Sequence, residues 1–336
     1  MRFRLADLAY PFALFATSVG AFGFGGGVIA FLIVAIFWTV ARKSPSPTFI
    51  EWLVVAGIIL VLIGLTLPPL GMGREQARVA TCLNNIRSVA LSLLSKVQKD
   101  GSLPQAVVND KSGKPLNSWR VSILPYLDEG TVYDRYDWNE PWSGPKNSLL
   151  QLSRIDVLAC PSDPLLRNGT SQTNYFAIVG PETAWPEDRG LPYNEITDGA
   201  ENTILLLEAH SGSVRWSEPR DLSMDEAVEL LRGQIPDRLA HHRYDNPGYF
   251  YRSPPKTSRG VHAAFADGTV HFLPVPLPEE MAKAMLTANA GDEVDWDEFD
   301  RLTAPQLDYA KIYATIAFAA VALWPARRLL HRRPLQ

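Results

Sequence analysis

FIEWLVVAGIILVLIGLTLPPL (Phe49–Leu70) and, after Gly71–Gly73, REQARVATCLNNIRSVALSLLSKVQ (Arg74–Gln98) decide how this chain folds. The first stretch is an apolar run of membrane length, with one carboxylate, Glu51, near its start and Pro68–Pro69 near its close. A span needs roughly 20 apolar residues. In the second stretch Val79, Leu83, Ile86, Ala90, Leu93 and Val97 step by four and three, the stripe of a helix buried on one side. Asp100–Gly101 stops it. The stripe is too short for a sustained coiled-coil seam, so a helix laid on a sheet is expected. An anchor that runs into the first helix of a folded body predicts a chain working at a membrane surface.

Toward the N-terminus, Phe12–Val40 is a second apolar run. It is too long and too deep in the chain for a cleaved signal peptide, and is expected to span. Gly23 and Gly27 give it the small-residue spacing that lets another helix approach closely. A third candidate, Ile312–Trp324, is short for a span; Tyr309 and Lys311 would extend it by snorkelling. An amphipathic or core helix is the alternative there. Arg42 and Lys43, and Arg327, Arg328, Arg332 and Arg333 after the third candidate, are expected on the cytoplasmic side. That arrangement describes a multi-pass protein of the inner (cytoplasmic) membrane with its body, residues 72–308, outside.

The formal net charge is −4, and no basic stripe marks a nucleic-acid partner. The two cysteines, Cys82 and Cys160, lack metal-binding spacing. Paired, they would close a long loop and contribute on the order of 4 kcal/mol. Two free buried thiols are the equal alternative.

The body reads as short elements. WRVSIL (Trp119–Leu124), IDVLAC (Ile155–Cys160), NYFAIV (Asn174–Val179) and TILLLE (Thr203–Glu208) are strand-like and bounded by turn residues. Ser223–Arg232 is a helix opened by a capping box of Ser223 and Glu226. Pro236–Gly260 reads as a long loop. In VHAAFADGTVHFL (Val261–Leu273) a two-residue Asp267–Gly268 turn predicts a hairpin with Ala266 opposite Thr269 and Ala264 opposite His271. Val261, Ala263, Phe265, Val270 and Phe272 then face a core, and His262 and His271 share the outer face.

On that register His262 and His271 come within reach of one ligand, near Glu208 and His210 at the end of another strand. The four are the metal candidates, of a His/carboxylate kind that matches no recognised metal motif. His241–His242 lies in a loop, where adjacent histidines rarely serve one ligand. No nucleophile elbow, phosphate loop or His-Glu-x-x-His stands in the sequence. No catalytic residue and no cofactor are expected.

Several blocks in order carry a family resemblance: the anchor, REQARVATCLNNIRSVAL, LNSWRVSILPYLDEGTVYDRYDWNEPW, CPSDP at Cys160–Pro164, TNYFAIVGPETAW, ENTILLLE and FADGTVHFL. They resemble a bacterial prepilin-like family of undefined molecular function, expanded in planctomycetes, with a His, nine residues, Asp-Gly motif. The anchor is similar to that of type IV pilins and pseudopilins. The resemblance gives Glu51 the place of their early carboxylate and Pro68 that of the proline seventeen residues later. It implies a carboxylate paired with the processed N-terminal amine of a neighbouring subunit. This chain departs from the pattern at Ser46–Pro47, where the peptidase expects Gly before an aromatic or methylatable residue, and at Thr257, in place of the motif's His. The extra preceding span also replaces a short basic leader.

The expected fold is α+β: N-terminal membrane helices, a long pilin-like helix packed on an antiparallel sheet, and a loop-rich C-terminal part. The expected organisation is an extra transmembrane segment (1–48), the pilin-like helix (49–100), an extracytoplasmic domain (101–290), and a linker with a third helix and basic tail (291–336). The structural residues are Glu51, Pro68, Cys82, Cys160, Asp267 and Gly268. The expected role is non-enzymatic: an envelope protein that meets lipid, and displays its domain to a protein partner or to its own copies through the membrane helices. The alternative is a membrane-anchored metal-dependent enzyme or metal-binding protein using Glu208, His210, His262 and His271.

Overall fold

The computed structural model describes residues 5–43, 70–163, 171–210, 212–242, 251–252 and 259–324. The principal helices are α1 (Leu5–Lys43), α2 (Leu70–Asp100), α3 (Met224–Leu231), α4 (Glu279–Leu286), α5 (Trp296–Thr303) and α6 (Tyr309–Leu323). The central sheet is built from β1 (Tyr175–Phe176), β2 (Ile204–Glu208), β3 (His241–His242), β4 (Arg259–Phe265) and β5 (Val270–Val275). The chain divides into two units. One comprises Met1–Leu70, Asn246–Arg252 and Pro305–Gln336; the other comprises Gly71–Asp245 and Ser253–Ala304.

The second unit is an α+β body. Its sheet runs β5-β4-β2-β1, all antiparallel, and β3 pairs with β4 at Arg259 and Gly260, where β2 does not reach. The helical stripe behaves as its spacing predicts. Ile86, Val89, Ala90, Leu93 and Val97 of α2 are buried against Tyr175, Leu206, Ala264 and Ala266, while Val79 and Leu83 are half-buried. Helices α3 and α4 cover the opposite face, with Leu230, Leu231, Met281 and Met285 against Leu207, Val261, Ala263 and Phe265. The result is three layers around one sheet. α3 starts at the expected capping box, Ser223 Oγ accepting from Glu226 N and Glu226 accepting from Ser223 N. Phe299 of α5 joins the core of this unit.

Three of the four expected strands are altered by particular hydrogen bonds, near and distant, because short apolar runs do not by themselves separate strand from helix. Trp119–Ser122 is a helical turn capped by Ser118, and Leu124–Leu127 is a 3-10 turn with Pro125 at its start. Asp156–Leu158 is also a 3-10 turn, and Asn85 of α2 donates to the Asp156 and Ala159 carbonyls beside it. The Asn174–Val179 run splits at Ala177, whose N–H goes to Asp221 Oδ1 instead of a ladder partner. Ile178–Val179 then pairs in parallel with Leu222–Ser223, outside the central sheet.

The hairpin forms with a register one residue away from the expected one. Val270 lies opposite Ala264, His271 opposite Ala263 and Phe272 opposite His262. Phe265 N–H donates to the Thr269 carbonyl, so Ala266, Asp267 and Gly268 make a three-residue loop. Gly268 takes φ +88° there, the left-handed position of such a loop. Asp267 Oδ1 accepts from the N–H and hydroxyl of Thr269. The tip packs under α2, where a Cβ on Gly268 would meet Leu94 at 3.0 Å. A slip of one residue exchanges the faces of one strand relative to the other. His262 therefore faces α2, and His271 faces the opposite way.

In the other unit α1 is not the single membrane-crossing rod expected for Phe12–Val40. The Phe15 and Phe31 rings meet with centroids 5.5 Å apart, whereas a straight helix would hold them roughly 24 Å apart. A Cβ on Gly27 would lie 2.5 Å from Val19 Cα. The chain doubles back, and Gly27 serves a close approach within α1 itself. Gly20 lies beside Ala314 of α6, and Phe22 meets Phe318 edge-on. α6 has 15 residues, about 22 Å, short of a hydrocarbon core of about 30 Å. Among the described residues no helix is long and apolar enough to cross a membrane, so the expected N-terminal membrane helices are not supported. Glu51, Pro68 and the stretch 49–69 lie outside the described residues.

Candidate functional site

Five segments converge at one end of the sheet, on the face covered by α2. Glu208 ends β2, opposite Tyr175. His262 lies on β4, on the same face as Ala264. His241 opens β3, opposite Gly260. Cys82 comes from α2, and Cys160 follows the 3-10 turn Asp156–Leu158. Asn174 locks the last of these: its Oδ1 accepts from Cys160 N at 2.7 Å, and its Nδ2 donates to Asp163 Oδ2 and the Ala209 carbonyl.

Cys82 and Cys160 form a disulfide, which resolves the alternative left open by the sequence. Glu208 is shared by two imidazoles. His241 Nε2 stands 3.0 Å from both Oε1 and Oε2, and His262 Nδ1 stands 2.5 Å from Oε2. His241 Nε2 is also 3.6 Å from Cys160 Sγ. The two imidazole rings meet edge-to-face at 4.8 Å. Above them the Tyr175 hydroxyl donates to the Cys82 carbonyl. All of these side chains are buried.

Burial pushes the Glu208 carboxyl up, but His241 and then His262 outweigh it and hold the group at about 2. Burial, then the Glu208 charge, pushes the Tyr175 hydroxyl well up. The cluster is thus a sealed carboxylate with two imidazoles and a disulfide. Its chemistry is that of an ion pair, a proton relay or, with free thiols, a metal site; a bulky substrate has no access to it.

The sequence candidates separate. Glu208 and His262 are together, as expected. His271 is exposed on the opposite face, against Phe265 and Trp296. His210 turns to the Asp237 carbonyl. The expected four-residue set therefore does not form: the three-residue hairpin loop sends His271 to the other face, and His210 lies past the end of β2 against Asp237. His241 takes the missing place, a residue assigned to a loop by the sequence. A second buried ion pair lies beside the edge strand β1, Arg120 with Asp221 at 2.5 Å, joined by Trp119, Ser118 and the Tyr175 carbonyl. Burial pushes Asp221 up.

A family model described as "Protein of unknown function (DUF1559)" matches residues 72–277. The chain belongs to this family. The matched stretch holds every residue of the cluster, and it also holds Asp267–Gly268. Within this DUF1559 chain the Asp-Gly pair is structural: it closes the hairpin and seats it under α2. No curated protein and no solved structure matches the chain.

Proposed function

We propose that this protein is a non-enzymatic, membrane-associated envelope protein. Its α+β body is displayed on the non-cytoplasmic side for interaction with a partner or with its own copies. The Cys82–Cys160 bond carries the reading, since such bonds form and persist in oxidising compartments. The bond fixes α2 to the segment before β1, so the body is completed by oxidation. The α1–α6 unit supports attachment to lipid. Phe12, Ile29 and Leu32 of α1 and Tyr313, Ile316 and Leu323 of α6 are exposed, an apolar surface suited to lipid or to another protein. The prepilin-like character belongs to this proposal, on the sequence blocks that carry the resemblance. The sealing of Glu208, His241 and His262 favours a structural role over turnover.

The test combines fractionation with thiol trapping in intact cells. Expected are sedimentation with membranes, resistance to alkaline extraction, removal of the body by protease added to spheroplasts, and cross-linked species larger than the monomer. Recovery of Cys82 and Cys160 as free thiols, or of the chain in the supernatant, overturns the proposal.

A further inference from the structure

We propose that reduction of the Cys82–Cys160 bond converts the buried cluster into a zinc site, with Cys82, Cys160, His241 and Glu208 as ligands and His262 orienting the carboxylate. One ligand atom from each of the four lies within 4.8 Å of the others. The donor set, two sulfurs, one imidazole nitrogen and one carboxylate oxygen, suits tetrahedral zinc. Zinc holds nitrogen and oxygen at about 2.0 Å and sulfur at about 2.3 Å, which sets neighbouring ligand atoms roughly 3.3–3.7 Å apart. His241 Nε2 already stands 3.0 Å from Glu208 and 3.6 Å from Cys160 Sγ. The sulfurs, now bonded, part by rotation of their side chains. His262 completes the arrangement: His241 Nε2 stands 3.0 Å from both oxygens of Glu208, and His262 Nδ1 holds Oε2, so Oε1 is the oxygen offered to the metal. An imidazole bonded to a ligating carboxylate is the usual outer support of a zinc ligand.

The reaction balances. An external dithiol gives two electrons and two protons to the protein disulfide and becomes a disulfide itself. Zinc then displaces a proton from each thiol. It also takes the place of the His241–Glu208 hydrogen bond: the Nε2 proton passes to solvent, Nδ1 carries the ring's one proton, and His241 binds through Nε2 as a neutral imidazole. An external disulfide takes the two electrons from the thiolates and two protons from solvent, becoming a dithiol; the Cys82–Cys160 bond re-forms and zinc leaves. The inference goes beyond the envelope reading and does not depend on location.

The experiment uses the full-length chain in detergent, oxidised or reduced with a phosphine under argon, with zinc ion as the probe. Expected are one zinc per chain in the reduced form and none in the oxidised form. Cobalt in its place should give a thiolate-to-cobalt charge-transfer band and tetrahedral d–d bands. His241→Ala should abolish binding, His262→Ala should weaken it about 10- to 100-fold, and His271→Ala should leave it unchanged. Circular dichroism on each variant separates lost ligation from lost folding. Zinc held equally by both redox forms, no zinc in the reduced form, a cobalt spectrum without sulfur, or binding that survives His241→Ala overturns the proposal. So does a reduced chain that unfolds and is not refolded by zinc.

Discussion

Against α3 and α4 the central sheet presents Ile204, Leu207, Val261, Ala263, Phe265 and Leu273, all buried among methionines and leucines. Against α2 it presents Tyr175, Glu208, His262, Ala264 and Ala266 beneath a helix that is disulfide-bonded to the body. Both faces are buried, and successive residues of β4 feed one and then the other. The first face is held by apolar area alone, worth about 25 cal/mol per Å². The second encloses charges whose burial is unfavourable without partners, so its stability depends on completed pairs and on a covalent bond. One sheet therefore joins a face insensitive to pH and reductant to a face sensitive to both.

The largest loss is expected at the charge pair beside the edge strand β1. Arg120→Ala leaves Asp221 buried without its cation, and should cost about 3–5 kcal/mol in denaturant unfolding. Replacing Cys82 and Cys160 by Ser should cost about 4 kcal/mol, from a sequence separation of 78 residues, and a reducing agent should add nothing further to the double variant.

Acid titrates the same face. The folded value of Glu208, about 2, lies below its ordinary 4.5, so its contribution is full above about pH 4.5 and is lost as pH falls toward 2. The loss is on the order of 3 kcal/mol. Glu208→Gln should flatten that segment of a stability-versus-pH curve. A curve of equal slope in the variant would place the acid sensitivity elsewhere. The apolar face supplies the contrast: Ile204→Val should cost about 0.5–1.5 kcal/mol, equally at neutral pH and at pH 4 and with or without reductant. A pH-dependent cost there would erase the distinction between the faces.

Elements with a long or self-sufficient local code were legible. The α2 stripe repeats over several turns, and Ser223 and Glu226 cap α3 by contacts three residues apart. β2 carries its own apolar run and formed as read. Trp119–Leu124 and Ile155–Cys160 did not, because Ser118, Pro125 and the distant Asn85 outweigh a weak strand preference. Of the carboxylate and two imidazoles, Glu208 and His262 were visible, and Cys82 with Cys160 stood as a possible pair. His241 was not, since its partner strand is formed by residues 259 and 260 and no local signal names them.

The sequence by itself determined the α+β class, the one-sided helix, the capped helix and the existence of the hairpin. Each of these depends on residues within a few turns or a few positions of one another. Only the tertiary structure decided the hairpin register, the reversal within α1, the disulfide and the meeting of Glu208 with His241 and His262. These depend on a one-residue change in loop length and on contacts between segments tens of residues apart. A period-2 strand pattern fits two registers equally well, and packing beneath α2 selects between them.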